Sequence, residues 1–165
     1  MTISSEDLAQ FQALIGAPAW GVARWEKFFF TLEFGPPRLT IQEKYHDPAF
    51  RRPGYALPPR RRIVPRGEWS LAVEYADWEM GWDTLRATSA EVFLRPDDAG
   101  FGDLDDVLRC LDGQKLARVE ALQGDFDFEM SFDLGGFLKI GTKTARYARC
   151  WSLSRLGEDI AGVEA

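Results

Sequence analysis

The sequence predicts an α+β domain, mainly antiparallel sheet built from two similar hairpin units, with an N-terminal helix and a second helix near residues 103–112. Three observations carry this. Phe and Leu alternate with polar residues at period two in two separate stretches, each followed by a turn and a second alternation. Apolar residues recur at helical spacing behind a capping residue at two other places. The 165 residues are 45% hydrophobic and 13% aromatic, enough for residues 1–165 to form one domain with its own core.

The elements follow in order. Ser4 or Ser5 can cap a helix whose first turn holds Glu6 and Asp7. Leu8, Phe11, Leu14 and Ile15 line one face of it, and Gly16 ends it. Phe28, Phe30, Leu32 and Phe34 then alternate as a strand. Gly35-Pro36-Pro37-Arg38 reads as a four-residue connection to a returning strand with Leu39 and Ile41, because proline cannot donate within a ladder.

From Tyr45 to Gly67 five prolines and Gly54 argue against regular structure, so residues 45–67 read as a long Pro/Arg-rich loop insertion. Trp69, Leu71, Val73 and Tyr75 mark the next strand, and Trp78 and Met80 start another. Trp82–Leu94 is ambiguous, and Val92, Phe93 and Leu94 fit either a short strand or a helical turn. Asp103 can cap a helix lined by Leu104, Val107, Leu108 and Leu111, with Gly113 after it. A strand near Leu116–Leu122 precedes the strongest hairpin signal: Phe126, Phe128, Met130 and Phe132, a turn at Leu134-Gly135-Gly136, then Leu138 and Ile140. Trp151 and Leu153 mark a last strand. The tail, residues 157–165, is small and polar and is expected to fray.

The two hairpins correspond. Phe30, Leu32 and Phe34 match Phe128, Met130 and Phe132, and Leu39 and Ile41 match Leu138 and Ile140. Ala23-Arg24-Trp25-Glu26 matches Ala117-Arg118-Val119-Glu120, and Trp69-Ser70-Leu71 matches Trp151-Ser152-Leu153. This order suggests an internal duplication with residues 45–67 inserted in one copy. The competing reading is that any two amphipathic hairpins share such alternation.

Charge is unevenly spread. Residues 97–133 hold 11 acids and 3 bases, while Arg51–Arg66 holds six arginines and no acid, in a chain of net charge -6. No apolar run reaches the roughly 18 residues of a membrane span. Trp25–Phe34 is interrupted by Glu26, Lys27 and Glu33, and the N-terminus lacks the pattern of a signal peptide. Cys110 and Cys150 make no disulfide framework, which points to a reducing, cytoplasmic setting.

Candidate chemistry is sparse. His46 beside Asp47 lacks a nucleophile partner, and the acids around Asp97–Asp106 miss calcium-loop spacing. No catalytic residue, metal site or cofactor is predicted. Asp125, Asp127, Glu129 and Asp133 are expected on a solvent-facing side of a strand.

The run of Leu111-Asp112-Gly113-Gln114-Lys115-Leu116, Phe128-Glu129-Met130-Ser131-Phe132, Gly136-Phe137-Leu138-Lys139-Ile140 and Trp151-Ser152-Leu153 resembles small bacterial proteins, some of them like immunity proteins of polymorphic toxin systems. The resemblance spans about residues 100–153 and implies a non-catalytic protein-binding role, with a toxin as partner, and no catalytic residue. Two surfaces are candidates for the contact: Asp97, Asp98, Asp103, Asp105 and Asp106, and Arg51, Arg52, Arg60, Arg61, Arg62 and Arg66. Nucleic-acid binding through Arg60, Arg61 and Arg62 is the alternative, opposed by the acidity of the rest of the chain. A small enzyme whose site assembles only in space is the third reading. No membrane partner is expected.

Overall fold

Period-two burial governs the architecture. In the computed structural model, which describes residues 3–26, 29–45, 60–94, 106–142, 149–155 and 158–164, twelve strands are arranged in antiparallel sheets with short helices between them. The first sheet holds β1 (Ala19–Glu26), β2 (Phe29–Phe34), β5 (Trp69–Val73), β11 (Arg149–Arg155) and β12 (Glu158–Glu164), in that order. The second holds β7 (Leu85–Thr88), β6 (Asp77–Trp82), β10 (Gly136–Gly141), β9 (Phe128–Phe132) and β8 (Leu116–Ala121). β3 (Arg38–Tyr45) and β4 (Arg60–Arg66) pair with each other as a two-stranded ribbon among the described residues.

The two five-stranded sheets face each other across one core. Leu32, Leu71 and Leu153 stand in register in the first sheet, and Met130, Leu138 and Met80 in the second. All six are fully buried, each contributing about 1.5–3 kcal/mol relative to exposure. Aromatic rings bridge the sheets: Phe34 stacks on Phe132 at 6.5 Å, and Phe30 meets Trp78 edge-on at 5.4 Å. Phe11 of α1 (Ser5–Gln12) closes one side against Phe128 and Trp151. Ser4 caps that helix, its hydroxyl accepting from the Asp7 amide at 3.0 Å.

The Trp82–Leu94 ambiguity resolves into β7 followed by α2 (Ser89–Leu94). Thr88 and Glu91 exchange backbone and side-chain hydrogen bonds at 3.0 and 3.3 Å, a capping box that starts α2. The expected helix near 103–112 is helical over 106–111, ending in a 3-10 turn at Arg109–Leu111; residues 103–105 lie outside the described residues.

Three expectations are corrected. β2 and β3 do not form a hairpin. β2 pairs with β1 and β5, and Leu39 and Ile41 point into solvent rather than the core. The Pro36-Pro37 connection carries β3 away, and β5 takes the place beside β2. The correspondence of Leu39 and Ile41 with the fully buried Leu138 and Ile140 therefore fails. Second, residues 60–66 of the supposed loop are strand β4, in which Pro65 is tolerated because a two-stranded ribbon has no interior strand. Residues 46–59, including His46, lie outside the described residues. Third, residues 158–164 of the supposedly frayed tail run antiparallel to β11, satisfying its outer backbone edge.

The strand order has its own regularity, distinct from the hairpin correspondence. A three-stranded meander, β1-β2-β5, is followed by the β6-β7 hairpin in the other sheet, and the meander β8-β9-β10 is followed by β11-β12 in the first. The two halves meet through a matching set of backbone hydrogen bonds. The Gly16 amide donates to Leu116 O (2.8 Å) and the Gly113 amide to Ala19 O (2.7 Å). The Ala19 amide donates to Gln114 O and the Leu116 amide to Ala17 O, around the Pro18–Lys115 bridge. Gly16 and Gly113 both have φ of 84°, a left-handed turn that glycine adopts without strain. Trp78, rather than the Trp69 that the sequence pattern suggests, matches Trp151, since Phe128 meets Trp151 edge-on at 5.3 Å as Phe30 meets Trp78.

Candidate binding surfaces

The β3–β4 ribbon is the most unusual surface. Its register places Leu39 opposite Pro65 and Ile41 opposite Ile63 on one face, with Arg38 opposite Arg66 and Thr40 opposite Val64 on the other. Leu39, Ile41 and Ile63 are 77%, 63% and 65% exposed. Arg61 and Arg62 are exposed on β4, and Arg60 begins that strand opposite Tyr45. Arg51 and Arg52 lie outside the described residues. The ribbon holds six Lys and Arg and one acid, a net of +5 on a chain of -6, leaving -11 for the remainder.

Arg66 has a different role. It donates to buried Glu33 at 2.8 Å. The same carboxylate accepts from the Gly67 amide at 2.8 Å and the Ser70 hydroxyl at 3.2 Å. Glu33 thus ties the ribbon's base to β2 and β5. The ribbon stands on a defined footing, so presenting its face to a partner costs little ordering entropy.

A second apolar surface lies at the same end of the sandwich. Trp82, Leu85 and Leu134 are 43%, 45% and 66% exposed. Trp82 and Leu85 face each other across the β6–β7 turn, and the Trp82 indole donates to Leu134 O at 2.7 Å. The stacked pair Phe34–Phe132 shows that the ends coincide, since Phe34 leads into the ribbon and Phe132 into the Leu134 turn.

Of the predicted acidic surface, Asp97, Asp98, Asp103 and Asp105 lie outside the described residues, and Asp106 is exposed at the start of the 106–111 helix. Around edge strand β8, Asp112, Glu120, Asp125 and Asp133 are exposed too. Asp112 accepts from the Gly21 and Val22 amides of β1; partial burial of its carboxyl, on an otherwise exposed residue, still pushes it above the usual range. Asp127 departs from the expectation of exposure. It is buried, and one of its oxygens accepts from both the amide and the hydroxyl of Thr142, at 2.8 and 2.6 Å.

Other polar interior groups are structural. Buried Gln114 accepts from the Gly136 amide at 2.9 Å and donates to Cys110 O at 2.6 Å. Cys110 and Cys150 form no disulfide, and burial raises both thiol pKa values. Among the described residues no group of three or more His, Cys, Asp or Glu is placed to hold a metal, and no helix is long and apolar enough to cross a membrane.

Sequence reasoning identified the ribbon's arginines and missed its apolar face, because Leu39 and Ile41 were assigned to a core hairpin. It also missed Trp82, Leu85 and Leu134, each an isolated apolar residue in sequence. No protein-family model, curated protein or solved structure matches this chain.

Proposed function

We propose that this chain is a non-catalytic protein-binding protein that masks a cationic partner, in the manner of an immunity protein acting on a bacterial toxin. The carrying observation is the separation of charge. The ribbon takes +5 and leaves -11, and Asp106, Glu120 and Asp125 stand exposed around edge strand β8. Such a field steers an oppositely charged protein and repels phosphate backbones. Asp97, Asp98, Asp103 and Asp105 belong to the same acidic stretch in sequence. The mechanism is occlusion of the partner's own site. A cytoplasmic location goes with this reading, since Cys110 and Cys150 stay reduced in such a compartment.

The test is capture from a lysate of the source organism with the tagged chain and with an Asp106→Lys, Glu120→Lys, Asp125→Lys variant. A basic protein retained after nuclease treatment, and lost with the variant, is the expected result. Capture that the variant leaves unchanged would overturn the acidic-face assignment. Capture abolished by nuclease would transfer the role to nucleic-acid binding through Arg60, Arg61 and Arg62.

A further inference from the structure

We infer that two copies of this chain associate about a two-fold axis, the apolar ribbon face of each (Leu39, Ile41, Ile63) seating on the Trp82, Leu85 and Leu134 patch of the other. This goes beyond the masking role, which uses a different surface.

Six of the eight large apolar side chains exposed among the described residues fall into these two patches. Scattered exposed apolar residues are ordinary; grouped ones mark interaction sites. Among the described residues nothing covers either patch, since all six side chains are at least 43% exposed. Any foreign protein would have to match one patch or the other, whereas a second copy necessarily carries both.

Position favours closure. The ribbon base and the Leu134 turn lie at one end of the sandwich, joined by the Phe34–Phe132 stack. Two copies meeting end to end about a two-fold axis make the ribbon-to-patch contact twice, once in each direction, and the assembly closes. Had the patches been at opposite ends, the same contact would propagate into an open chain.

Charge favours the same occupant. The ribbon is +5 and the remainder of the second copy -11. Asp83 and Asp133 flank the patch and are exposed, the sign of charge that a basic ribbon meets favourably. A ribbon laid against a second ribbon would instead bring like charges together. Both surfaces are also held in place, the ribbon through Glu33 and the Trp82 ring through Leu134 O. Tryptophan held this way is a common anchor of protein interfaces.

The experiment is sedimentation equilibrium of the full chain over a concentration series, with two variants. Ile41→Asp/Ile63→Asp breaks the ribbon face, and Leu134→Asp breaks the patch; all three positions are exposed, and circular dichroism checks that each variant folds. The wild type is expected at twice the chain mass. Each variant alone is expected to raise the dissociation constant by about 30-fold or more. An equimolar mixture of the two variants restores one intact ribbon-to-patch contact, and is expected to associate more tightly than either alone.

A monomeric wild type overturns the inference, as does a dimer that both variants leave intact. Absence of recovery in the mixture overturns the ribbon-to-patch seating. Capture of a basic partner is measured on the same ribbon variant, which keeps Asp106, Glu120 and Asp125. Loss of self-association with capture retained therefore leaves the masking reading standing, and the reverse outcome leaves the dimer standing.

Discussion

Arg66 and Glu33 meet at 2.8 Å where the ribbon joins the sandwich, and Glu33 is only 3% exposed. Glu33 is otherwise satisfied by the Gly67 amide and the Ser70 hydroxyl, so one side chain fixes β2, the ribbon and β5 together. Replacing Glu33 by Ala strands a buried amide donor, and an unmet buried donor costs about 1–3 kcal/mol. Urea unfolding of Glu33→Ala is expected to show that loss, with Ser70→Ala costing much less. Equal stability of the two variants would contradict the hub role.

Gly67 is required for steric reasons. A Cβ at this position would lie 2.5 Å from Phe34 O and 2.8 Å from Phe34 N and Trp69 O, all backbone atoms of the core sheet. Those atoms cannot move without breaking the β2–β5 ladder. Gly67→Ala is expected to cost about 3 kcal/mol, at the upper end of overpacking. Gly113→Ala meets open space and pays only for its φ of 84°, about 1 kcal/mol. Thermal unfolding of both variants tests the contrast, and a Gly113→Ala loss as large as that of Gly67→Ala would refute it.

The legible part of the fold is the local part. Phe128 and Met130 pair with Ile140 and Leu138 through a short turn, so period-two alternation and turn chemistry fix both the face and the partner. At Leu39 and Ile41 the same alternation gives only the face. Their partners, Pro65 and Ile63, lie across a long segment, and β2's neighbour β5 is farther still along the chain. Strand β12 was missed for a related reason: Glu158–Glu164 has little apolar alternation, and its place rests on backbone pairing with β11. The Thr88-Ser89-Ala90-Glu91 capping box was readable in the sequence and would have settled where α2 begins.

The candidate surfaces were legible in charge and not in shape. Arg60, Arg61 and Arg62 stand out in composition, but composition does not distinguish Arg66, which is held at the ribbon base. Trp82, Leu85 and Leu134 become one patch only because β6 pairs with both β7 and β10. Asp127 precedes β9 and so falls outside the strand's alternation, which is why its expected exposure was wrong.

Asp127 yields a third prediction. A single carboxylate oxygen accepts both Thr142 hydrogen bonds. Asp127→Asn can keep a carbonyl oxygen in that place, whereas Asp127→Ala leaves the buried Thr142 amide without an acceptor. The Ala variant is expected to lose about 1–3 kcal/mol in urea unfolding and the Asn variant clearly less. Equal losses would show that the negative charge, rather than the acceptor, is what the site needs.

Cys110 gives the pH-dependent prediction. Burial pushes its thiol from the ordinary 9.0 up to about 11, and Asp112 adds to the rise. The folded protein therefore holds this proton more tightly than the unfolded chain. Below pH 9 the thiol is protonated in both states and its contribution to stability is fully present. As pH rises through the unfolded value, the unfolded chain gives up its proton first, and the contribution is lost as pH passes about 11. Alkylation reads the same shift directly, because only the thiolate reacts. In a Cys150→Ala background at pH 8, native Cys110 is expected to react with iodoacetamide on the order of 100-fold more slowly than in urea. Equal rates in the two conditions would show that the thiol is neither shielded nor shifted.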